Sequence, residues 1–521
     1  MVSSKQMKRN NYLRNLCLVV SVFSGLSFQP LPSSSRGVGT LSQSNSDAAQ
    51  NESIPSEPVD ICVIGGGISG LTAAITAAES NPEKNDKILL LESSAEAGGR
   101  VSSERSDGFI FDKGFAVFID AYPEAKALLD FDALDLQPFD PGALIKIPGK
   151  SSLARIADPR RQPRYLLQTL LTPVGTLRDK FRLIPLFLYL VTKNISDIFE
   201  DEEQDTLSIL KNGYGFSDKM ISEFFQPFLE GIYLCPLEEQ SSRMFHFVMK
   251  MFIDGSATLP RNGMQAVSDQ LLSKAQSLNV DVRFDSPVCN LIVDDNTGII
   301  TVDLDGGSKS IQARKVVMAT EGVVAQKLLA TLDDFGFLKD SERQPQRSIG
   351  CIYYSFESDP PISDPVLILN GERCDSVINN VCFPSQVSET YGSKGRGLCC
   401  VTILESTLEK YEGQHDVLDN AIRQELAGWF PDYHDEIDNQ WKRERIYIIQ
   451  NAQPSQYRGP APANFNGGRD CTTFMGAALP QGIFVCGDHV VSIQTRNIIF
   501  CMVPCYYLTY MASCFPRLLQ H

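Results

Sequence analysis

Short apolar runs, bounded by glycine, proline or polar residues, recur along the chain. Val59 to Ile64 (VDICVI) contains β-branched residues and lies between a proline and three glycines, so it predicts a buried parallel strand. Lys87 to Leu91 (KILLL) predicts a second strand, and Leu71 to Glu79 predicts the helix between them. This order of elements predicts an α/β fold that begins with a Rossmann-type dinucleotide-binding unit.

Three apolar stretches farther along predict helices. Phe224 to Leu234 and Ser241 to Phe252 carry aromatic and methionine residues at helical spacing, which favours packing in a core. The alternative for both is the lining of a tunnel for a long apolar substrate. Leu183 to Val191 (LIPLFLYLV) has about half the length needed to cross a bilayer and contains Pro185. It favours a core helix, with a surface that touches lipid as the alternative, so a peripheral membrane contact is a further expectation.

Residues 1–57 have the pattern of a targeting presequence and linker. Basic residues precede an apolar run, Leu16 to Leu26, and Ser27 offers a cleavage point, which is typical of a secretory signal peptide. The next segment starts at Phe28, is rich in serine and has no acidic residue before Asp47. This arrangement resembles the bipartite plastid presequence of algae with complex plastids, such as diatoms, and implies a plastid (chloroplast) location. Simple secretion is the alternative.

Charge and cysteine spacing exclude some kinds of partner. The formal net charge is -16 and the isoelectric point is near 4.9, so we expect no binding to nucleic acid, whose phosphates need a positive surface. The 14 cysteines show no paired CxxC spacing and the chain has 5 histidines, so no metal site is expected. Cys399 and Cys400 are adjacent, and a strand would send their side chains to opposite faces.

The first predicted strand is followed by Gly65-Gly66-Gly67-Ile68-Ser69-Gly70. In a dinucleotide site Gly65 would make the tight turn, Gly67 would let the backbone approach a pyrophosphate, and Gly70 would let the next helix pack against the strand. The positive end of that helix would point at the phosphates. We therefore expect Gly65, Gly67, Ser69 and Gly70 to bind a cofactor.

Glu92 directly follows the second predicted strand. Its carboxylate can accept hydrogen bonds from the adenosine ribose and would repel a 2′-phosphate. The distance from the glycines exceeds the usual spacing of about 20 residues, and the polar insertion Asn81 to Asp86 accounts for the difference. Glu92 is therefore a fifth expected cofactor-binding residue.

Two motifs after Glu92 point to a flavin. Ala97 to Arg100 reads AGGR, and Gly108 to Gly114 contains an aromatic-Asp-x-Gly turn. Together they resemble the FAD-binding segment of the flavin-containing amine oxidase superfamily, which includes protoporphyrinogen oxidases and phytoene-desaturase-like enzymes. The resemblance implies FAD as the cofactor, with Gly99 close to the flavin and Arg100 as a fixed cation beside the pyrophosphate or the isoalloxazine.

The resemblance continues downstream in Leu259 to Met264, Asp285 to Val288, Val316 to Thr320 and Gly482 to Asp488. It implies that the backbone of Val288 lies against the adenine and that Gly487 and Asp488 contact the ribityl chain. After Ser492 to Gln494 the chain departs from the family, since bulky residues replace the small ones expected next to the flavin ring.

The expected architecture is a Rossmann-type FAD/NAD(P)-binding domain interleaved with a mixed α+β substrate domain. We assign 58–116, 256–332 and 477–521 to the FAD-binding domain, and 117–255 and 333–476 to the substrate domain.

The expected activity is that of an FAD-dependent oxidoreductase. The resemblance implies hydride removal from an amine, a tetrapyrrole or an isoprenoid, and the aromatic helices favour a lipophilic substrate. The sequence identifies no catalytic residue. Hydride transfer to a flavin needs positioning more than a protein nucleophile, so the lack of a visible triad does not argue against an enzyme. One alternative is a flavin-dependent enzyme similar to carotenoid isomerases, without net redox change. The other is a non-catalytic nucleotide-binding remnant.

Overall fold

The computed structural model describes residues 57–80, 86–115, 117–332, 346–372, 376–454, 473–474 and 477–487. The strands are β1 (Val59–Ile64), β2 (Ile88–Leu91), β3 (Ser103–Ser106), β4 (Phe109–Asp112), β5 (Phe118–Ile119), β6 (Leu136–Pro138), β7 (Gly142–Lys146), β8 (Leu153–Ala157), β9 (Ala257–Pro260), β10 (Asp281–Arg283), β11 (Val288–Val293), β12 (Ile300–Leu304), β13 (Lys309–Met318), β14 (Gln346–Phe356), β15 (Leu367–Asn370), β16 (Asn380–Cys382), β17 (Gly397–Leu404), β18 (Lys442–Pro454), β19 (Thr473–Phe474), β20 (Ala477–Ala478) and β21 (Ile483–Val485).

The α-helices are α1 (Ile68–Ser80), α2 (Pro123–Leu128), α3 (Phe131–Leu134), α4 (Leu166–Leu171), α5 (Leu177–Thr192), α6 (Ile195–Glu200), α7 (Thr206–Ser208), α8 (Asp218–Met220), α9 (Gln226–Tyr233), α10 (Ser242–Asp254), α11 (Gln265–Ser277), α12 (Gly322–Leu329), α13 (Pro384–Val387), α14 (Glu405–Lys410), α15 (His415–Trp429) and α16 (His434–Asn439). Two π-helical turns, Ile209–Gly213 and Ile221–Phe225, connect the short helices of the central region.

The first sheet contains the predicted strand–helix–strand unit. Its strand order is β10-β2-β1-β13-β12-β11, with β21 also paired to β13. The strands β10, β2, β1, β13 and β21 pair in parallel, whereas β11 and β12 form an antiparallel extension. The α/β fold of Rossmann type is therefore confirmed. Helix α1 begins at Ile68, inside the glycine motif and three residues before the predicted start.

The second sheet has the order β18-β14-β17-β16-β15-β7-β8 and is mixed, because β7 and β15 pair in parallel while the others are antiparallel. Its strands come from 142–157 and 346–454, and those of the first sheet come from 59–91, 281–318 and 483–485. The interleaving of the two sheets along the chain follows from these ranges, while the exact domain boundaries stay a prediction.

The two faces of the second sheet pack against different layers. Cys399 lies in the apolar cluster with Trp429 and Trp441, and Cys400 lies in the cluster with Phe109 and Phe111. The two adjacent thiols therefore lie on opposite faces, as the strand pattern predicts. The Cys400 thiol contacts Cys351 on β14 rather than its neighbour Cys399, with 3.2 Å between the Sγ atoms of Cys400 and Cys351.

A layer of helices covers residues 166–254. Phe225, Leu229, Phe245 and Phe247 are buried, which confirms that the two aromatic stretches pack in the core. The apolar run Leu183 to Val191 forms the second half of α5. There the core-helix expectation is correct for one side only, because Leu186 and Leu190 are buried while Ile184 and Val191 are exposed.

Candidate functional site

The candidate site lies where the parallel strands of the first sheet end. Backbone hydrogen bonds join the residues that follow these strands: the Gly65 N–H donates to Leu91 O at 2.7 Å, and the Ala319 N–H donates to Ile64 O at 2.8 Å. The Cys486 N–H donates to Met318 O at 2.8 Å. The segments after β1, β2, β13 and β21 therefore share one edge, which is where open α/β sheets bind their ligands.

Gly65 and Gly70 hold the glycine turn tightly against the sheet. Gly65 has a φ of +107°, and a Cβ at this position would lie 2.8 Å from Ala319 O. A Cβ on Gly70 would lie 1.8 Å from Gly65 O. Both positions therefore require glycine for steric reasons, as the motif predicts.

Gly67 and the loop Gly98–Gly99 form a cradle lined by backbone. The Gly98 N–H donates to Gly66 O at 2.9 Å, and Gly67 and Gly98 pair as an isolated parallel bridge. A Cβ on Gly67 would have no neighbour closer than Gly98 O at 4.0 Å, so this side of the turn is open. Gly99 lies beside it, with a φ of +58°. The cradle leaves room for a group that approaches the backbone closely.

The first turns of α1 place two buried hydroxyls near this cradle. Ser69 and Thr72 are 5 % and 0 % exposed, and neither Ser69 Oγ nor Thr72 Oγ1 has a hydrogen-bond partner among the described residues. A buried hydroxyl without a partner costs free energy, so such groups are normally satisfied by protein, water or ligand. An open backbone cradle, a helix N-terminus and a spare hydroxyl fit the phosphates of a dinucleotide. The residues present therefore fit FAD.

Glu92 has a structural role that the sequence analysis missed. Its Oε2 accepts a hydrogen bond from the Gly66 N–H at 2.6 Å, and its Oε1 accepts from the Ser94 N–H at 2.9 Å and Ser94 Oγ at 2.7 Å. The carboxylate thus holds the glycine turn and the loop after β2 together. Its contact with a ribose stays a prediction.

The segment that leads to Val288 lies beside Glu92. The Ser286 N–H donates to Glu92 O at 2.8 Å, and the Asp285 N–H donates to Ser94 O at 3.1 Å. Val288 then begins β11, opposite Leu304. The structure therefore brings Val288 to the same end of the site as Glu92, although the two residues are far apart in sequence.

Arg100 is positioned by the second sheet. Its Nη1 donates to Ala452 O at 2.6 Å, near the end of β18. This contact fixes a half-buried guanidinium next to the Gly98–Gly99 loop. A fixed cation at this place agrees with the predicted role of Arg100 towards the cofactor, which itself stays a prediction.

The far end of the predicted site is described only as far as Gly487. This residue follows β21 with a φ of +143°, at the shared edge of the first sheet. Asp488 and the departure from the family after Gln494 lie outside the described residues.

Asp112, in the aromatic-Asp-x-Gly turn, joins the hairpin of β3 and β4 to the second sheet and to the turn before α11. Its carboxylate accepts hydrogen bonds from Ser103 Oγ at 2.6 Å, the Met264 N–H at 2.9 Å and Tyr391 OH at 2.8 Å. Tyr353 OH donates to its backbone carbonyl at 3.0 Å. Burial raises the pKa of Asp112, although the hydrogen bonds oppose that effect. The sequence did offer one signal for this role: Asp112 follows the apolar residues Ile110 and Phe111 and comes two residues before Gly114.

Comparisons with known proteins agree with this geometry. Among solved structures, a putative protoporphyrinogen oxidase from Exiguobacterium sp. 255-15 aligns with a TM-score of 0.60 at 16% identity, over 90% of this chain and 99% of its own. An oxidoreductase from Methanosarcina mazei aligns with a TM-score of 0.60 at 13% identity, over 87% and 99%. Cyclohexylamine oxidase from Brevibacterium oxydans IH-35A aligns with a TM-score of 0.59 at 14% identity, over 89% and 99%. These likenesses show the fold.

The sequence itself identifies the family. No curated protein sequence matches the chain. The sequence model of flavin-containing amine oxidoreductases matches residues 68–492, which is most of the chain. The match begins inside the glycine motif, at Ile68, and includes β21 at the far end of the site. The chain therefore belongs to the family of flavin-containing amine oxidoreductases and is an FAD-dependent oxidoreductase.

Proposed function

We propose that this oxidoreductase removes hydride from a lipophilic substrate, an amine, a tetrapyrrole or an isoprenoid. The supporting observation is an apolar wall next to the cradle. The side chains of Phe224, Phe228, Ile232 and Phe252 are half-buried and pack on the core of the helical layer. Phe228 stacks with Phe224 at 5.9 Å between ring centroids and meets Phe252 at 5.3 Å.

Strand β18 connects this wall to the cradle. Near its end, Ala452 O accepts the hydrogen bond from Arg100, and the next residue, Gln453, donates its side-chain amide to Ile232 O at 3.0 Å. The apolar wall and the loop Gly98–Gly99 are therefore held by neighbouring residues of one strand. An apolar surface beside the redox centre favours a substrate that leaves water readily.

The division of work between cofactor and protein follows from this arrangement. FAD supplies the hydride acceptor, which explains why the described residues need no nucleophile. The glycine turns let the backbone approach the cofactor, and Arg100 holds a positive charge beside it. The apolar wall orients the substrate and excludes water.

The first test is the absorption spectrum of the purified full chain. We expect bound FAD, and loss of its oxidised absorption when a lipophilic amine, a porphyrinogen or a polyene is added without oxygen. Putrescine serves as the polar comparison. Reduction by putrescine but by no lipophilic compound would contradict the proposed substrate class, and a preparation that stays colourless after FAD is added would contradict the enzyme itself.

A pair of variants tests the apolar wall. Phe228→Ser is expected to raise KM for the reducing substrate about tenfold, because it removes most of one aromatic contact. Val417→Ser, an exposed position on α15, is the matched control.

The mass of the product tests the alternative reaction. If the product has the mass of the substrate, the reaction is an isomerisation without net redox change, and the hydride-removal proposal is wrong.

A further inference from the structure

The exposed apolar side chains of this protein are concentrated on two adjacent helices. Of 12 large hydrophobic residues that are exposed in the described part of the chain, 8 lie between Leu166 and Val191. Leu167 and Leu171 on α4 are 67% and 74% exposed, and Phe181 and Ile184 on α5 are 61% and 51% exposed. Single exposed hydrophobics are ordinary, but a contiguous group of this size marks an interaction surface.

The exposed apolar residues of α5 lie on one face. Leu177, Phe181, Ile184 and Val191 follow the spacing of a helical stripe, and the buried residues Leu186 and Leu190 lie on the opposite side. Helix α5 is thus apolar on two sides. One side packs against the protein, and the other has no covering layer among the described residues.

The charge of this region is opposite to that of the whole protein. Residues 160–193 contain 7 basic residues and 1 acidic residue, Asp179, a net charge of +6 in a chain with a net charge of -16. Arg161, Arg164 and Arg178 are exposed, and Asp179 is buried. The apolar face is therefore bordered by cations, which is the pattern of helices that lie in a membrane interface.

The protein holds these helices rigidly. Asp179 accepts hydrogen bonds from the Ser217 N–H at 2.8 Å and from the Thr176 N–H at 2.7 Å, and Glu223 accepts from the Gly175 N–H at 2.9 Å. The turn between α4 and α5 is therefore fixed from beneath by two buried carboxylates. The exposed face is a built part of the surface rather than a frayed helix.

We propose that α4 and α5 bind the surface of an anionic lipid bilayer. The apolar face would enter the boundary between head groups and acyl chains, and the arginines would meet the lipid phosphates. No helix in the described residues is long and apolar enough to span a bilayer. A second copy of the chain fits less well, because a two-fold contact would place the same positive segment against itself. The proposal is independent of the substrate.

The test is co-sedimentation of the full chain with phosphatidylcholine vesicles that contain or lack phosphatidylglycerol. The triple variant Leu171→Ser, Phe181→Ser, Ile184→Ser is expected to lower the partition coefficient by about tenfold or more. The matched control is Ile292→Ser, Val324→Ser, Val417→Ser, which changes three exposed hydrophobics elsewhere and is expected to bind as the unmodified chain does. Arg161→Gln, Arg164→Gln, Arg178→Gln is expected to remove the preference for phosphatidylglycerol.

Every variant carries the apolar run Leu16 to Leu26, which could itself bind vesicles. Hydrogen exchange of the full chain therefore locates the segment that contacts the lipid. Vesicles with phosphatidylglycerol are expected to slow the exchange of amides in residues 166–192. Equal partition of the two triple variants, or unchanged exchange in this segment, would overturn the proposal. A third outcome would also overturn it: the unmodified chain does not bind vesicles but forms a dimer, and the triple variant at 171, 181 and 184 does not form that dimer.

Discussion

Neighbouring glycines at the candidate site have different surroundings, and the motif alone does not distinguish them. A Cβ on Gly70 would collide with Gly65 O, whereas a Cβ on Gly67 would enter open space. Gly70 is therefore required by the packing of the protein itself, whereas the role of Gly67 in cofactor binding stays a prediction. This difference separates loss of folding from loss of cofactor binding.

We predict that Gly70→Ala lowers the free energy of unfolding of the apoprotein by at least about 2 kcal/mol, because backbone must move to admit the methyl group. Gly67→Ala is expected to change it by no more than about 0.5 kcal/mol but to raise the Kd for FAD at least about tenfold. Urea unfolding and flavin fluorescence titration measure the two effects. Unchanged FAD affinity in folded Gly67→Ala would show that the cofactor does not approach this turn.

His246 makes the stability of the helical layer depend on pH. Burial lowers its pKa from 6.5 to about 4, against the attraction of Asp201 and with a smaller repulsion from Lys193. Its Nε2 is 2.9 Å from Tyr214 OH, and its ring packs against Tyr189. The folded protein therefore holds this imidazole neutral, while the unfolded chain takes up a proton below about pH 6.5.

Because the pKa of His246 is lower in the folded protein than in the unfolded chain, protonation favours the unfolded chain as the pH falls from 6.5 towards 4. The full free energy of unfolding is therefore present at pH 7 and part of it is lost in that range. From pH 7 to pH 5 we expect a loss of about 2 kcal/mol in the free energy of unfolding that His246→Gln does not show. Urea unfolding at both pH values measures it. His434→Gln, which changes an exposed histidine, should keep the full loss. Equal losses in all three proteins would contradict the prediction.

At the scale of elements, the anchoring of α5 depends on one buried acid. Thr176 and Asp179 form a capping box at the start of the helix, and Asp179 also accepts from the N–H and Oγ of Ser217. Asp179→Ala is therefore expected to cost about 2–4 kcal/mol, since it leaves several buried donors without an acceptor.

Thermal unfolding measures this cost, and Asp218→Ala is the matched control because the Asp218 carboxylate is 85% exposed. A control effect within about 0.5 kcal/mol is expected. If Asp179→Ala were as stable as Asp218→Ala, the turn between α4 and α5 would be held without Asp179, by Glu223 and by packing. The hydrogen bonds of Asp179 would then not be what holds the exposed face of α5 in place.

The sequence predicted elements best where the local pattern has only one physical solution. The runs VDICVI and KILLL became β1 and β2 within one residue, because short apolar runs between breakers bury as parallel strands. The exposed side of α5 was predicted only as the alternative to a core helix, because LIPLFLYLV is apolar at nearly every position and its periodicity cannot separate the two faces. The pairing of β7 with β15 was also out of reach, because it joins residues 142–146 to 367–370.

At the scale of the whole molecule, buried polar groups fasten the hairpin of β3 and β4 to the second sheet. Tyr391 and Tyr353 approach Asp112 from the second sheet and its flanking turn. Asp112 belongs to a family motif, but its partners could not be predicted from the sequence, because Tyr391 lies 279 residues away. Contacts of this kind depend on tertiary structure, and no local pattern encodes them.

Tyr391→Phe is expected to lower the free energy of unfolding by about 1–2 kcal/mol and to raise the pKa of Asp112 further, because the buried carboxylate loses a donor. Tyr433→Phe, on a half-buried turn, is the comparison and should have little effect. The melting temperatures of Tyr391→Phe and Tyr433→Phe, measured by thermal unfolding at neutral pH, test this prediction. Equal melting temperatures would mean that this hydrogen bond does not help to hold the hairpin of β3 and β4 against the layer that contains Tyr391.

The order of strands in the first sheet also determines when this protein can fold. Strand β1 pairs with β13 between Ile61 and Lys315, and β13 pairs with β21 between Val316 and Ile483. Strand β1 is synthesised early, and its pairing with β13 must wait for a strand that comes much later in the chain. Such long-range pairing is slow and leaves apolar strands such as β2 unprotected meanwhile. The first sheet can therefore be completed only after β21 has been synthesised.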